Sequence, residues 1–396
     1  MATEKKKKLL VTASTFPRWK GDTEPRFVLD LAAHMTEEFD VTVLVPAAPG
    51  AADREILDGV NIVRYHYFPV HKWETLCYPG AIIPRIREKK IRVILVPFLL
   101  FSLWWNLHKM LPDFELIHAH WLIPQGVIQS FFRKPYVVTG HGGDVTSLNN
   151  NILKKLKMRC LRKAGRVTVV AGHLKEKVQE AVPEITPDII PMGVVCSAFG
   201  KEFYVQNYFG QKERKVVLFV GRLAEKKGVK YLIEAMKQLD TILVITGDGP
   251  LRRELKVQAK SIEDRVIFLG VKTHEELKEI YASADILVIP SVTAVDGDQE
   301  GSPTVLMEAF ASRIPVIATR TGGIPELLKD GVNGILVEEK KPEEIAKAVR
   351  KLLENAGLRE RITEEAYKTA CQSDYSVIAS KYITLMKELD FKSHNT

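Results

Sequence analysis

The sequence is poor in cysteine. Its four, Cys77, Cys160, Cys196 and Cys371, lie far apart with no Cys-x-x-Cys pair, which excludes a zinc ribbon or a disulfide scaffold and fits reduced, cytoplasmic thiols. It has no Walker Gly-Lys-Ser/Thr signature and no Gly-x-Gly-x-x-Gly. Internal repeats and low-complexity tracts are missing apart from Lys5-Lys6-Lys7-Lys8. The apolar residues Leu9–Ala13 after that run are too few for a signal peptide and meet Phe16-Pro17-Arg18-Trp19-Lys20, so the run reads as a charged tail before a first buried strand. The uncharged run Val93–Trp105 (VILVPFLLFSLWW) spans 13 residues, short of the ~20 that cross a bilayer, and Pro97 interrupts it. Acidic residues are scarce in the first half. Residues 1–200 hold 27 Lys and Arg against 19 Asp and Glu, and residues 201–396 hold 30 of each, so the whole net charge of +8 sits in the first half. Such a one-sided field suits an anionic partner: a phospholipid surface, a phosphorylated acceptor or nucleic acid.

What is present is ordinary for a soluble globular chain, with 46% hydrophobic and 27% charged residues, and the length implies two or three domains. Apolar strand runs alternate with helical patterns, the mark of parallel sheets built from strand-helix-strand units. The first half offers strands at Leu9–Ala13, Val41–Val45, Leu116–Ala119, Tyr136–Thr139 and Arg166–Val170. The second offers Val216–Val220, Thr241–Thr246, Val266–Leu269, Ile286–Ile289, Val316–Ala318 and Gly334–Val337. Proline, glycine and aromatic residues break the periodicity in Pro187–Gln211. The expected division is 1–195, 196–372 and a C-terminal helix 373–396 returning to the first domain. The fold class is α/β, two facing Rossmann-like domains with ligands in a cleft at the carboxyl ends of the strands. Val93–Trp105, flanked by Arg and Lys, is either a buried helix or an interfacial element on anionic lipid. The basic segment Asn151–Gly165, with Leu153, Leu156, Cys160 and Ala164 on one face, is either a solvated helix or part of the same surface.

Three segments carry chemistry. In EGSPTVLME, Glu300 to Glu308, Pro303 fits the first turn of a helix with Ser302 as N-cap, so the Thr304 and Val305 amides form an anion site after the flexible Gly301. Glu300 and Glu308 beside that site can accept hydrogen bonds from sugar hydroxyls. GRLAEKKG, 221–228, follows a strand and lets Arg222 and Lys227 reach a diphosphate. HGGD, 141–144, places His141 among glycines at a strand end, beside HAHW at 118–121. Strand alternation is taken to separate His118 from His120, arguing against a shared ion. Asp296-Gly297-Asp298 raises a cation question of its own, which the cationic side chains nearby make redundant.

Together with Thr15-Phe16-Pro17, Gly21 and TGDGP at 246–250, these motifs resemble the retaining glycosyltransferases of family 4, with GT-B architecture, over nearly the whole chain. The finer similarity is to enzymes of exopolysaccharide and cell-surface glycan synthesis. The resemblance implies a nucleotide diphosphate sugar as donor, UDP- or GDP-linked, no required cofactor and no metal. It implies that Arg222 and Lys227 hold the diphosphate, that Ser302, Thr304 and Val305, with Gly301 and Pro303, cradle the distal phosphate, and that Glu308 binds the ribose. Glu300 and His141 would act at the transferred sugar, and Gly21 would let the first loop approach the phosphates. Acceptor contacts are expected at Asp22, His120 and Asp144. The first loop departs from the family's paired glycines, reading Gly21-Asp22-Thr23-Glu24-Pro25. The expected partners are a glycan or lipid-linked acceptor and an anionic membrane at the cytoplasmic face, with no nucleic acid. The rivals are an epimerase or hydrolase of the same architecture and a non-enzymatic basic membrane- or nucleic-acid-binding protein.

Overall fold

The computed structural model describes residues 6–148, 150–206, 208–210, 214–295 and 297–394, with side chains to 389. They divide into two units, Met1–Pro191 with Tyr375–Thr396, and Met192–Asp374. The edges fall a few residues from the 195 and 372 read from the sequence. The final helix, Tyr375–His394, packs on the helix Phe27–Met35 of the first unit.

Among its described residues, the second unit is built on a six-stranded, wholly parallel sheet. Its strands are β9 (Val216–Val220), β10 (Ile242–Thr246), β11 (Val266–Gly270), β12 (Ile286–Ile289), β13 (Val316–Thr319) and β14 (Ile335–Val337), ordered β11-β10-β9-β12-β13-β14. Renumbered within the unit, that order is 3-2-1-4-5-6, the dinucleotide-fold order, whose switch point lies between β9 and β12. All six strands follow the sequence expectation because both sheet faces are covered. Parallel strands of this kind read as continuous apolar runs such as VVLFV and ILVI. One core lies on each face, around Leu218, Phe310 and Tyr281 on one side and Leu232, Ile245 and Ile317 on the other.

The first unit has eight strands: β1 (Lys7–Thr12), β2 (Phe39–Pro46), β3 (Arg54–Leu57), β4 (Val60–Tyr65), β5 (Leu116–His120), β6 (Val137–Gly140), β7 (Arg166–Val169) and β8 (Asp188–Ile189), in the order β3-β4-β2-β1-β5-β6-β7-β8. Among the described residues, only β3 pairs antiparallel. The β3–β4 hairpin and β8 are additions to the strands expected from sequence. The hairpin turns at Asp58-Gly59, both at positive φ, as an Asp-Gly pair between short strands would. The switch point lies between β1 and β5, so the loop holding Gly21 and Asp22 and the loop starting at Trp121 sit at the same sheet edge.

Candidate active site

In the second unit the loop after β9 and the loop after β12 meet at the switch point. Lys227, near the end of the first, pairs with Glu300, near the end of the second, at 2.8 Å. Both side chains are largely buried. Burial pushes the Glu300 carboxyl up, but the ammonium groups of Lys227 and Lys226 and hydrogen bonds from Lys227 and Ser291 outweigh it, and its pKa lies below the ordinary glutamate value. Lys226 pairs with Asp298 at 3.0 Å. Asp298 therefore has a cation partner already, and Asp296 lies outside the described residues.

Backbone packing holds these loops in place. The Gly221 amide donates to Thr246 O at 3.0 Å, the Leu223 amide to Asp248 O at 2.9 Å and the Leu251 amide to Leu223 O at 3.0 Å, so TGDGP is the bed on which GRL rests. The Gly323 amide donates to Glu300 O at 3.0 Å, and a Cβ on Gly322 would lie 2.1 Å from the same oxygen. Sequence reasoning passed over Thr321-Gly322-Gly323. Its paired glycines after β13, at the same edge, were the available signal.

The anion-binding helix differs from the expectation at its start. It runs Thr304–Ala311 with Pro303 as N-cap, extended at ψ 117°, one residue later than the spacing suggests. Ser302 does not cap it, because its Oγ accepts a hydrogen bond from the Met192 amide at 3.2 Å. Thr304 and Val305 still head the helix, where amides have no acceptor within it, and Gly301 precedes them in the turn. Glu308 is half-buried, and its Oε2 accepts the Tyr281 hydroxyl at 2.7 Å. That contact orients the carboxylate, and no local spacing pointed to Tyr281.

In the first unit, His118 and His120 occupy the same face of β5 with ring centroids 4.2 Å apart. This corrects the parity argument, since residues two apart on a strand point the same way. His118 Nε2 bonds Thr139 Oγ1 at 2.8 Å, and His120 Nδ1 faces His141 Nε2 at 3.0 Å. Burial lowers all three pKa values, to about 3 for His118 and His141 and well below normal for His120. They are neutral at physiological pH. His141 lies against Trp121 and Phe27, at 4.9 and 5.3 Å between ring centroids, and part of it remains accessible. Trp121 holds φ 71°, a conformation costly for a bulky residue and enriched at functional sites. Among the described residues, the one His, Cys or carboxylate cluster compact enough to share an ion is His66, His71 and Glu74.

The residues expected to bind acceptor are engaged within the protein. Asp144 is buried; its Oδ1 accepts the His141 and Gly142 amides at 3.0 and 2.9 Å, and its Oδ2 accepts the Leu122 amide at 2.8 Å. Asp22 accepts the Arg18 amide and guanidinium and the Thr23 amide. His120 is 1% exposed. In the structure these groups fix the loops around His141 and Gly21. Gly21 makes the turn at φ 81° with open space where a Cβ would stand.

Two sheets, parallel apart from β3 and each in switch-point order with its chemistry at the carboxyl edge, define the GT-B class. Sucrose-phosphate synthase of Thermosynechococcus elongatus superposes with a TM-score of 0.77 at 20% identity, covering 97% of this chain and 99% of that one. Anabaena HepE, solved in complex with UDP, superposes with a TM-score of 0.71 at 20% identity, covering 96% and 100%. The chain belongs to the family 4 glycosyltransferases: Glycosyltransferase Family 4 matches residues 25–198 and Glycosyl transferases group 1 matches residues 201–369. A glycosyltransferase of Methanocaldococcus jannaschii is 30% identical over 92% of this chain and 95% of its own length. The GDP-mannose-dependent alpha-(1-6)-phosphatidylinositol monomannoside mannosyltransferase of Mycolicibacterium smegmatis is 31% identical over 55% of this chain and 60% of its own. The amylovoran biosynthesis glycosyltransferase of Erwinia amylovora is 42% identical over 31% and 32%.

Proposed function

We propose that the protein transfers a hexosyl group from a UDP- or GDP-linked sugar to a glycan or lipid-linked acceptor with retention of anomeric configuration. The observation that carries the reading is the buried Lys227–Glu300 pair at the switch point, beside a helix start with open amides. A diphosphate sugar satisfies both partners at once. Its phosphates take the Lys227 ammonium and the Thr304 and Val305 amides, and its sugar hydroxyls donate to Glu300. The bond from the anomeric carbon to the diphosphate breaks as the acceptor oxygen bonds that carbon on the same face. The acceptor proton passes to the departing phosphate oxygen, so no protein carboxylate is needed as nucleophile. Lys227 and Arg222 stabilise the charge that builds on the leaving group, and fixed donors of this kind are worth about 10²–10³ in kcat. They supply the charge a divalent ion would bring, so transfer is expected to survive EDTA, and strict dependence on an ion refutes that part. Relatives named for GDP-mannose and for polysaccharide synthesis support the donor and acceptor classes.

The test is transfer to an acceptor mixture from a panel of UDP- and GDP-sugars, with the product anomer read by NMR, for wild type, Glu300→Gln and Arg222→Ala. The expected result is α product from an α donor and a loss of about 10² or more in each variant. Wild-type rates in the variants, an inverted anomer, or free sugar released without acceptor overturns the reading.

A further inference from the structure

The helix Leu95–Met110 has two apolar faces, and the described residues cover only one. Leu95, Leu99, Leu103 and Leu107 point inward and are buried. The opposite face presents Ile94, Phe98, Phe101 and Trp105, exposed by 54%, 43%, 65% and 43%. These positions recur every three or four residues, so they form one continuous stripe. The exposed Trp73 extends it, stacked on Phe68, which meets Phe98 edge-on at 4.9 Å. Exposed lysines bound the stripe. Lys90 lies at its start, and at its end the Lys109 ammonium sits 4.8 Å over the Trp105 ring. The unit that bears it holds 30 basic and 21 acidic side chains, and the other unit 27 and 28.

The stretch Lys90–Asp113 is long and apolar enough to cross a membrane by composition. Crossing would pull the leucine face out of the first unit's core, whereas lying flat leaves that packing intact and immerses the other face. Tryptophans with lysines beside them suit the headgroup level, and the unit's positive charge suits an anionic surface. We propose that this face docks the protein in the plane of a bilayer containing anionic lipid. The docking is independent of the transfer reaction, since none of these residues belongs to the site at either switch point.

Two measurements test it. In the first, the unaltered full chain is mixed with vesicles of phosphatidylcholine alone or with added phosphatidylglycerol, and binding is read by co-sedimentation and by tryptophan quenching with brominated lipid. The expected result is binding and quenching on the anionic vesicles, weakened by salt. In the second, Phe101→Ser and Trp105→Ser are each expected to lower the partition coefficient about tenfold, and Lys90→Glu and Lys109→Glu each about fivefold or more. Melting temperature and transfer to a soluble acceptor stay at wild-type values, which separates failure of docking from failure of the assigned activity. Equal binding to neutral and anionic vesicles, an absence of quenching in the unaltered chain, or a dimer in solution that Phe101→Ser dissociates overturns the proposal.

Discussion

Gly322→Ala tests how closely the site depends on one backbone contact. Gly322 has φ 55°, and a Cβ there would stand 2.1 Å from Glu300 O, a backbone atom that no rotamer change can move. The left-handed conformation alone costs an alanine about 1–2 kcal/mol. Relieving the clash requires the Glu300 backbone to shift by about 1 Å, and a displacement of that size in a positioning element costs on the order of 10²-fold in rate. Gly331→Ala is the control. It has φ 70° with nothing within 4 Å of its Cβ position, so it carries the conformational cost without the collision. Both variants are expected to lower the melting temperature of the second unit by roughly 2–8 °C. Only Gly322→Ala should lose about 10² in kcat/KM for sugar transfer, measured well below the transition. Equal activity in the two variants would refute the claim that the 321–323 turn positions Glu300.

Asp144→Ala removes the acceptor of three backbone amides and is expected to cost about 3 kcal/mol or more. If Asp144 positions His141, kcat should fall at unchanged acceptor KM, and a rise in KM alone would restore the acceptor-binding role. The histidine cluster sets a pH dependence. The unfolded chain protonates these imidazoles near pH 6.5, while the folded protein keeps His118 and His141 neutral down to about 3. Between these values the unfolded state binds more protons, so stability falls as pH drops from about 6.5 toward 3 and is regained as pH rises. Melting curves of His118→Gln, whose side-chain amide can donate to or accept from Thr139, should show a shallower acid loss; an unchanged slope would count against the assignment.

The sheets were legible because burial on both faces writes itself as unbroken apolar runs, and the order 3-2-1-4 then makes β9 and β12 neighbours. That adjacency brings Lys227 to Glu300 across 73 positions of sequence, through a topological rule rather than any local motif. The β3 strand was hidden because Arg-Glu-Ile-Leu at an edge has no inward-facing alternation, although Asp58-Gly59 marked its turn. Side-chain partners were harder to read. Nothing in the spacing told whether Ser302 would cap its own helix or serve Met192, or that Asp144 would spend its oxygens on three amides. In the basic helix Asn151–Lys163, Lys157 turns inward and its ammonium bonds Val145 O and Ser147 O at 2.9 and 2.8 Å. Charge patterning had placed it on a solvated or lipid-facing surface.

The paired state of the second unit's cations bears on product release. With Lys227 on Glu300 and Lys226 on Asp298, both lysines are compensated before any ligand arrives. In the proposed reaction, a sugar nucleotide that draws Lys227 to its diphosphate leaves Glu300 partnered by sugar hydroxyls. In the proposed reaction the product, a nucleoside diphosphate, takes the same lysine and leaves Glu300 only the Ser291 hydroxyl at 3.5 Å, with a second anion nearby. Taking the ionic partner from a buried carboxylate is costly, so the wild-type protein should hold the product less tightly than its cation count suggests. Replacing Glu300 with glutamine removes the stranded charge while keeping the side chain's shape. Calorimetric titration of Glu300→Gln with the free nucleoside diphosphate is therefore expected to show tighter binding than wild type, by about tenfold, in a variant whose transfer activity is lost. Weaker or equal binding would mean that Glu300 is relieved by another partner when Lys227 leaves it, and this account of product release would fall with it.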